Sequence, residues 1–565
     1  MSASSKKKLR KEQAAAQLTE KQLKQQKEDK KLRATSIAFV AIMLVIALVA
    51  VTVLSVRGVN NSGIIDRNTQ AAVVGDRELN SVQVNYYFTD YVMNMYNQWY
   101  SSYGNNTTVY AMLMGLDVGL PLNEQVYNEE TNQTWADYLL NEALNKAKSD
   151  YALYDLAMAE GFKLTEEQQA SLDSSLSQLS LYAMYYGYND VDNYLRANYG
   201  YGSNLKSYTE YSNIAAIANA YYNNYSDSLE YDDAAIRAYE KDKFDNFSSF
   251  SYHLYEVSRS DYLTGGTTGD DGKTTYSDAE NEAALKAAEE VANKLAENKT
   301  VEKLDAAIAA LEVNAEKENA ASTACVDVMY NRISNVFRDW IVSGDRVAND
   351  VTVIAKTTTS TDADGNETKT TTGYYVILWQ GRNDNLRPLA NVRHLLVAFE
   401  GGTPNEDGTK TYSDEEKNAA KSEAELLLQK WKDGEATEES FIELVKKNSD
   451  DSTASTGGLF EDIHAGSAYV EGFLNWAIDA DRKAGDAGVV ETQYGYHVMY
   501  YVGDGKLTYR DYMITEELRS ADLTEWYDGV IKDTTFTVGK TNRLPMDMVL
   551  VADDGHDHDH DHDHE

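Results

Sequence analysis

The chain has 565 residues, with 91 Asp/Glu against 52 Lys/Arg, a formal net charge of −39 and one cysteine, Cys325. At about 150 residues per domain, that length predicts three or four domains. So acidic a surface repels phosphate backbones and excludes nucleic acid as a partner while favouring basic ones. A lone cysteine excludes an intrachain disulfide and a thiolate metal cluster.

Residues 1–33 run against this trend, with eleven Lys/Arg, four Asp/Glu and a net charge of +7. The run from Ala34 to Val56 has no charged residue and is dominated by Ile, Val, Leu and Ala. At about 1.5 Å per residue it covers roughly 34 Å, enough for a bilayer core, and it exceeds the roughly 7–15 apolar residues of a cleaved signal. The expectation is a single uncleaved transmembrane helix over 34–56. The basic segment 1–33 would then be cytoplasmic and the bulk of the chain extracytoplasmic, at the cell membrane.

Residues 57–70 read as a linker, and 71–247 as a helical domain. The clearest helix follows Thr134, an N-cap, with the apolar face Leu140, Leu144, Ala147, Tyr151, Tyr154 and Met158 before a stop at Gly161. Thr165 with Gln168 predicts a capping box for the next helix. The many tyrosines of this region fit a packed core, and a peptide-binding cradle is the other use of that pattern.

An internal repeat comes next. Gly272-Lys273-Thr274-Thr275-Tyr276-Ser277-Asp278 recurs 136 residues on as Gly408-Thr409-Lys410-Thr411-Tyr412-Ser413-Asp414, and Phe337, Trp340, Asp345 and Arg346 recur as Phe473, Trp476, Asp481 and Arg482. Two tandem α+β domains are predicted, at 248–385 and 388–504. His253 aligns with His394, whereas the place of His497 is taken by Tyr375. The first copy also has a Thr-rich loop, Lys356 to Thr372, and lacks a clear counterpart of Ser449-Asp450-Asp451 and Gly457-Gly458. It reads as structural or binding, and the second copy as the candidate for activity. Residues 505–550 predict a helix and a short strand that return to the helical domain. Residues 551–565 alternate His and Asp, so His556, His558, His560, His562 and His564 form a flexible, weak candidate chelator of a divalent metal such as Zn, Ni or Cu.

The second copy resembles the parvulin family of peptidyl-prolyl cis/trans isomerases. The matching pieces are Val392-Arg393-His394-Leu395-Leu396-Val397, Ser449-Asp450-Asp451, Gly457-Gly458-Leu459, Phe473 with Trp476-Ala477, Gly485-Asp486-Ala487-Gly488-Val489-Val490 and Tyr494-Gly495-Tyr496-His497-Val498. The wider layout is similar to PrsA- and SurA-type foldases, with a helical SurA-N-like chaperone domain and a degenerate first parvulin copy. The resemblance implies His394, Asp451 and His497 as catalytic residues and Phe460, Tyr469, Phe473 and Tyr494 as substrate-binding ones. Counting back from Gly458 selects Asp451 over Asp450. No cofactor is expected. The expected partners are unfolded or newly exported polypeptides with X-Pro bonds. Arg393 stands alone, without the basic loop of phospho-specific relatives. Two other readings are a non-catalytic holdase and a metal-handling surface protein acting through its tail.

Overall fold

The structure is a computed structural model that describes residues 3–15, 42–43, 45–46, 48–49, 58–104, 106–241, 243–269, 272–361, 367–405 and 409–551. Among the described residues, no helix is long and apolar enough to cross a membrane. This corrects the transmembrane helix expected over 34–56. A span needs about 20 consecutive apolar residues in one helix, and here only residues 42, 43, 45, 46, 48 and 49 of that run are described, each of them helical. The described residues do not show a membrane partner. What stands is a mixed architecture of helical and α+β parts. The His/Asp tail, with its five histidines, lies outside the described residues.

The chain forms two compact units, Met1–Leu229 with Leu523–Glu565, and Glu230–Asp522. In the first unit, helix Trp135–Ala159 begins at Thr134, whose hydroxyl accepts from the Asp137 backbone N–H while the Asp137 carboxylate accepts in return. Of the expected apolar face, Leu140, Leu144, Ala147 and Tyr151 are buried, after which burial passes to Leu153 and Ala157 and leaves Met158 exposed. A 4-3-4-3 spacing averages 3.5 residues per turn, so a 3.6-residue helix drifts off the stripe by its end. Thr165 and Gln168 form the expected capping box of helix Glu166–Tyr185. The segment read as a linker contains helix Ile64–Asn68, whose buried Asp66 faces Arg543 at 3.4 Å. Strand Phe536–Val538 pairs with Gln70–Val74, so the end of the chain completes this unit's small sheet.

In the second unit, two four-stranded antiparallel sheets share one strand order. They run Thr323–Met329, Ser249–Ser258, Glu367–Asn383, Val351–Thr361 and, in the second copy, Leu459–Ile463, Pro388–Ala398, Gly495–Thr508, Ala487–Thr492. The two longer helices of each copy cover one face: Asp278–Leu295 with Val301–Ala309, and Asp414–Lys432 with Glu438–Asn448. The opposite face packs on a short helix, Arg338–Ile341 or Glu471–Ala477. Both long helices open with a capping box, Ser277 with Glu280 and Ser413 with Glu416, and each glutamate also accepts from a glycine N–H, Gly266 or Gly402, at 2.9 Å.

Two sequence-based expectations change here. The Thr-rich loop is a strand pair, with Thr361 opposite Glu367 and Thr357 opposite Thr371. Threonine is β-branched and favours extended backbone, so a threonine run prolongs a hairpin readily. The helical domain, expected to reach residue 247, ends instead at Leu229. Helix Asp233–Glu240 and Phe247 share a core with Ile514 of helix Tyr509–Ile531, so residues 230–247 and 505–522 fold with the α+β copies.

Candidate active site

The site is built on the two central strands of the second sheet. Their register sets His394 opposite Met499 and Leu396 opposite His497, which makes the two histidines diagonal neighbours on one face. Both are buried. That face also carries Ala390, Val392, Met499 and Tyr501, and it packs on Phe473, Trp476 and Ala477 of helix Glu471–Ala477. Leu395, Val397 and Val498 point the other way, into the core under the long helices.

Gly458 fixes the loop before the edge strand. Its φ is +63°, and a Cβ there would fall 2.1 Å from the His394 carbonyl oxygen, while its own carbonyl accepts the His394 N–H at 2.9 Å. Only glycine allows that approach. Arg393 ties the same loop to helix Glu438–Asn448, donating to the Gly457 carbonyl at 3.0 Å and to Glu438 at 2.8 Å.

His394 Nδ1 and His497 Nδ1 are 3.0 Å apart and joined by a hydrogen bond. His394 Nε2 faces Asp451 Oδ1 at 3.6 Å, and His497 Nε2 meets Thr492 Oγ1 at 2.9 Å. Burial lowers the pKa of both imidazoles. His497 is brought down to about 4, with His394 adding to the effect and Asp451 opposing it; for His394, Asp451 opposes the burial. Both rings are therefore neutral at pH 7. For Asp451, burial works toward a higher pKa, but the Thr453 hydroxyl and N–H, donating to Oδ1 at 2.6 and 2.8 Å, hold it below the ordinary carboxylate value. An ionised Asp451 places the proton of His394 on Nε2. His394 Nδ1 then accepts from His497 Nδ1–H, and His497 Nε2 accepts from Thr492. The hydrogen bonds therefore run Thr492 to His497 to His394, and His394 Nε2, without a hydrogen-bond partner of its own, faces the Asp451 carboxylate across 3.6 Å.

The aromatic side chains close around this pair. Phe473 lies edge-on to His394 at 5.4 Å and to His497 at 5.7 Å. Phe460 is 5.0 Å from His394 and 5.6 Å from Phe473. Tyr469 packs on Phe460 and Phe473 at the exposed rim. Tyr494 departs from the expected group. It sits in the turn before Gly495 with its N–H on Thr492 Oγ1 and its carbonyl accepting the Phe399 N–H, and the residue is 56 % exposed. The adjacent Asp450 has a different task, accepting the Ala398 N–H at 2.9 Å. Thr492 was not singled out from the sequence. The signal was available: a two-residue turn pairs Thr492 with Gly495 and Val490 with His497, which sets Thr492 diagonal to the histidine.

His253 is not the counterpart of His394. In the first sheet His253 pairs with Leu378 and Leu254 with Ile377, and the apolar cluster beside Phe337 contains Leu254, Ile377 and Tyr375. His253 accordingly lies on the opposite face, bonded to Ser322 at 2.9 Å. A one-residue slip in register exchanges the faces of a strand. Leu254 and Tyr375 therefore stand where the second copy has His394 and His497.

Residues 394–503 match the family model of the rotamase, PPIC-type PPIase domain, a match that begins on His394 and includes Asp451, Thr492 and His497. These residues are a PPIC-type PPIase domain. No curated protein matches the chain. Among solved structures it is similar to the peptidylprolyl isomerase PrsA of Bacillus anthracis, with 20 % identity over 26 % of this chain and 59 % of that one, at a TM-score of 0.16. It is also similar to PrsA of Bacillus subtilis, with 14 % identity over 72 % and 91 % and a TM-score of 0.24. A SurA-like chaperone of Campylobacter jejuni matches at 15 % identity over 41 % and 78 %, with a TM-score of 0.16. The first copy lies outside the matched PPIase segment.

Proposed function

We propose that the PPIase domain catalyses cis/trans isomerisation of X-Pro bonds by a parvulin-type mechanism, within a chain that assists the folding of exported polypeptides outside the cytoplasm. The observation that carries the reading is the 3.0 Å bond between His394 and His497 beneath Phe473 and Phe460.

An X-Pro bond rotates over a barrier of roughly 20 kcal/mol because resonance keeps the amide planar. Water stabilises the polar planar form, so an apolar wall that takes the proline ring and excludes water favours the twisted one. Phe460, Phe473 and Tyr469 supply that wall. The neutral histidines perform no proton transfer in this scheme. They hold the floor rigid and orient Asp451 at its edge. No cofactor takes part.

A protease-coupled proline assay on the full chain tests this, with His497→Ala and Asp451→Ala as controls. Activity that is missing, or indifferent to both substitutions, sinks the enzymatic reading. A holdase contribution is favoured by one specific feature, the first copy's Leu254 and Tyr375 in place of the histidines; a copy of that kind can bind chain without catalysing. Protection of intact cells' protein from added protease would defeat the extracytoplasmic placement.

A further inference from the structure

Helix Glu166–Tyr185 buries only Leu179 and Ala183 among its twenty residues. Its last turn and the turn beyond present Leu181, Tyr182, Met184, Tyr185, Tyr186 and Tyr188 to solvent, with Met184 71 %, Tyr185 80 % and Tyr186 61 % exposed. Tyr194 of helix Val191–Tyr199 gathers these rings. Tyr186 stacks on it at 6.2 Å and 10°, Tyr182 at 6.5 Å and 30°, and Tyr188 meets it edge-on at 5.6 Å. Tyr185 meets Tyr186 edge-on at 5.0 Å. The rings are ordered against one another yet outside any core. Contiguous exposed apolar surface of this kind marks an interaction site.

Charge identifies the occupant. Between Lys163 and Arg196 the chain has no Lys or Arg and five acids, Glu166, Glu167, Asp173, Asp190 and Asp192. Asp190 and Asp192 both lie within four residues before Tyr194, each also accepting a backbone N–H, from Asn193 and Leu205. Tyrosine faces attract cations, and the planar guanidinium of arginine both stacks on a ring and pairs with a carboxylate. A second copy of this chain, at a net charge of −39, would be repelled.

We propose that the tyrosine cluster at the end of helix Glu166–Tyr185 docks extended, arginine-rich polypeptide segments. This goes beyond the isomerase reading and does not rest on it.

The test uses the full chain and a fluorescein-labelled, proline-free Arg-Gly-Ser repeat peptide, followed by anisotropy at about 0.15 M salt. The combined variant Tyr182→Ser, Tyr185→Ser, Tyr186→Ser removes three exposed rings and should weaken binding about tenfold. Tyr185→Lys alone, at the most exposed ring, should weaken it in the same direction with unchanged circular dichroism. His497→Ala should bind the peptide as the parent does, and a peptide with Glu in place of Arg should not bind. Equal binding by the parent and both tyrosine variants would reduce the effect to general attraction by an acidic chain and overturn the proposal. So would sedimentation showing dimers of the chain that the triple variant dissolves.

Discussion

Tyr375 meets Phe337 edge-on, their ring centroids 5.4 Å apart at 75°, as His497 meets Phe473 at 5.7 Å and 74°. The scaffold around the two pairs is also kept: Arg346 lies over Trp340 in one copy and Arg482 over Trp476 in the other. The first copy thus retains the packing of the site without its imidazoles. All isomerase activity of the full chain should reside in the second copy. His497→Ala is expected to reduce kcat/KM by about 100-fold and to leave no plateau attributable to the first copy. The measurement is two-dimensional exchange NMR on an X-Pro peptide, and a residual rate that Tyr375→Ala then removes would contradict the assignment.

The lowered imidazole pKa values fix how stability responds to acid. A histidine in the unfolded chain titrates near 6.5, whereas His497 in the fold is brought to about 4, by burial first and then by His394. Between these values the unfolded chain binds a proton that the folded one refuses. Stability from this group is therefore complete above about pH 6.5 and is lost as the pH falls toward 4, to the extent of roughly 3 kcal/mol. His394 acts in the same direction. Urea unfolding at several pH values, compared with His497→Phe, should show a flatter acid limb in the variant. Parallel curves would mean that the pair is not held neutral by burial.

Asp450 and Asp451 are neighbours with separable tasks. Asp451→Asn keeps an acceptor for Thr453 but removes the charge that sets the proton on His394 Nε2. Activity should fall with little change in melting temperature, and the imidazole 15N shifts of His394 should move toward the other tautomer. Asp450→Ala removes the acceptor of the Ala398 N–H, which should cost about 1 kcal/mol while leaving those shifts alone. Identical spectra for the parent and Asp451→Asn would mean that the Asp451 charge, 3.6 Å from His394 Nε2, does not set the tautomer.

Gly458→Ala should damage stability and activity together. The added methyl would meet the His394 carbonyl at 2.1 Å from a backbone at φ +63°, a combined cost of about 2–4 kcal/mol. Gly529→Ala is the matched control, since its Cβ would meet nothing within 4 Å on helix Tyr509–Ile531. There the change should be neutral or gain up to about 1 kcal/mol. Thermal melts of both variants decide the matter.

The histidine pair was legible because local pattern carried it: two β-prone segments with a glycine turn before one and a Gly-Gly loop paired to the other. The internal repeat was legible for a related reason, since capping boxes and aromatic anchors recur at a fixed offset. What the sequence hid depends on register and on distant partners. His253 and Leu254 are adjacent letters on opposite faces, and only strand pairing separates them. Thr492, by contrast, could have been read from its two-residue turn, which fixes its register against His497. The apolar run 34–56 satisfied a length rule, yet the structure contains no spanning helix among the described residues. The division at Leu229 was equally hidden, because it depends on a pairing between residues 270 apart.

That pairing is Glu240 with Arg510. Arg510 is fully buried, and its guanidinium donates to Glu240, to the carbonyls of Asp384 and Phe244 and to Ser248 Oγ, while lying 3.6 Å over the Phe244 ring. Burial favours a higher pKa for Glu240, but Arg510 and Arg237 outweigh it and keep the carboxyl ionised below its usual range. Every donor on one side of the cation has an acceptor, so the pair is satisfied as a unit and costly to halve. Arg510→Met alone leaves the Glu240 carboxylate, beside the Ile236, Phe247 and Ile514 core, paired only with the half-exposed Arg237 and should destabilise by about 2–4 kcal/mol. Glu240→Leu alone leaves the buried cation with neutral acceptors only, Ser248 Oγ and the carbonyls of Asp384 and Phe244, and should cost a similar amount. The double variant Glu240→Leu, Arg510→Met leaves no buried charge and should recover much of that loss. Urea titrations of the four chains measure the coupling: losses that simply add would mean that Arg510 serves its carbonyl partners and that Glu240 is incidental to joining helix Asp233–Glu240 to this unit.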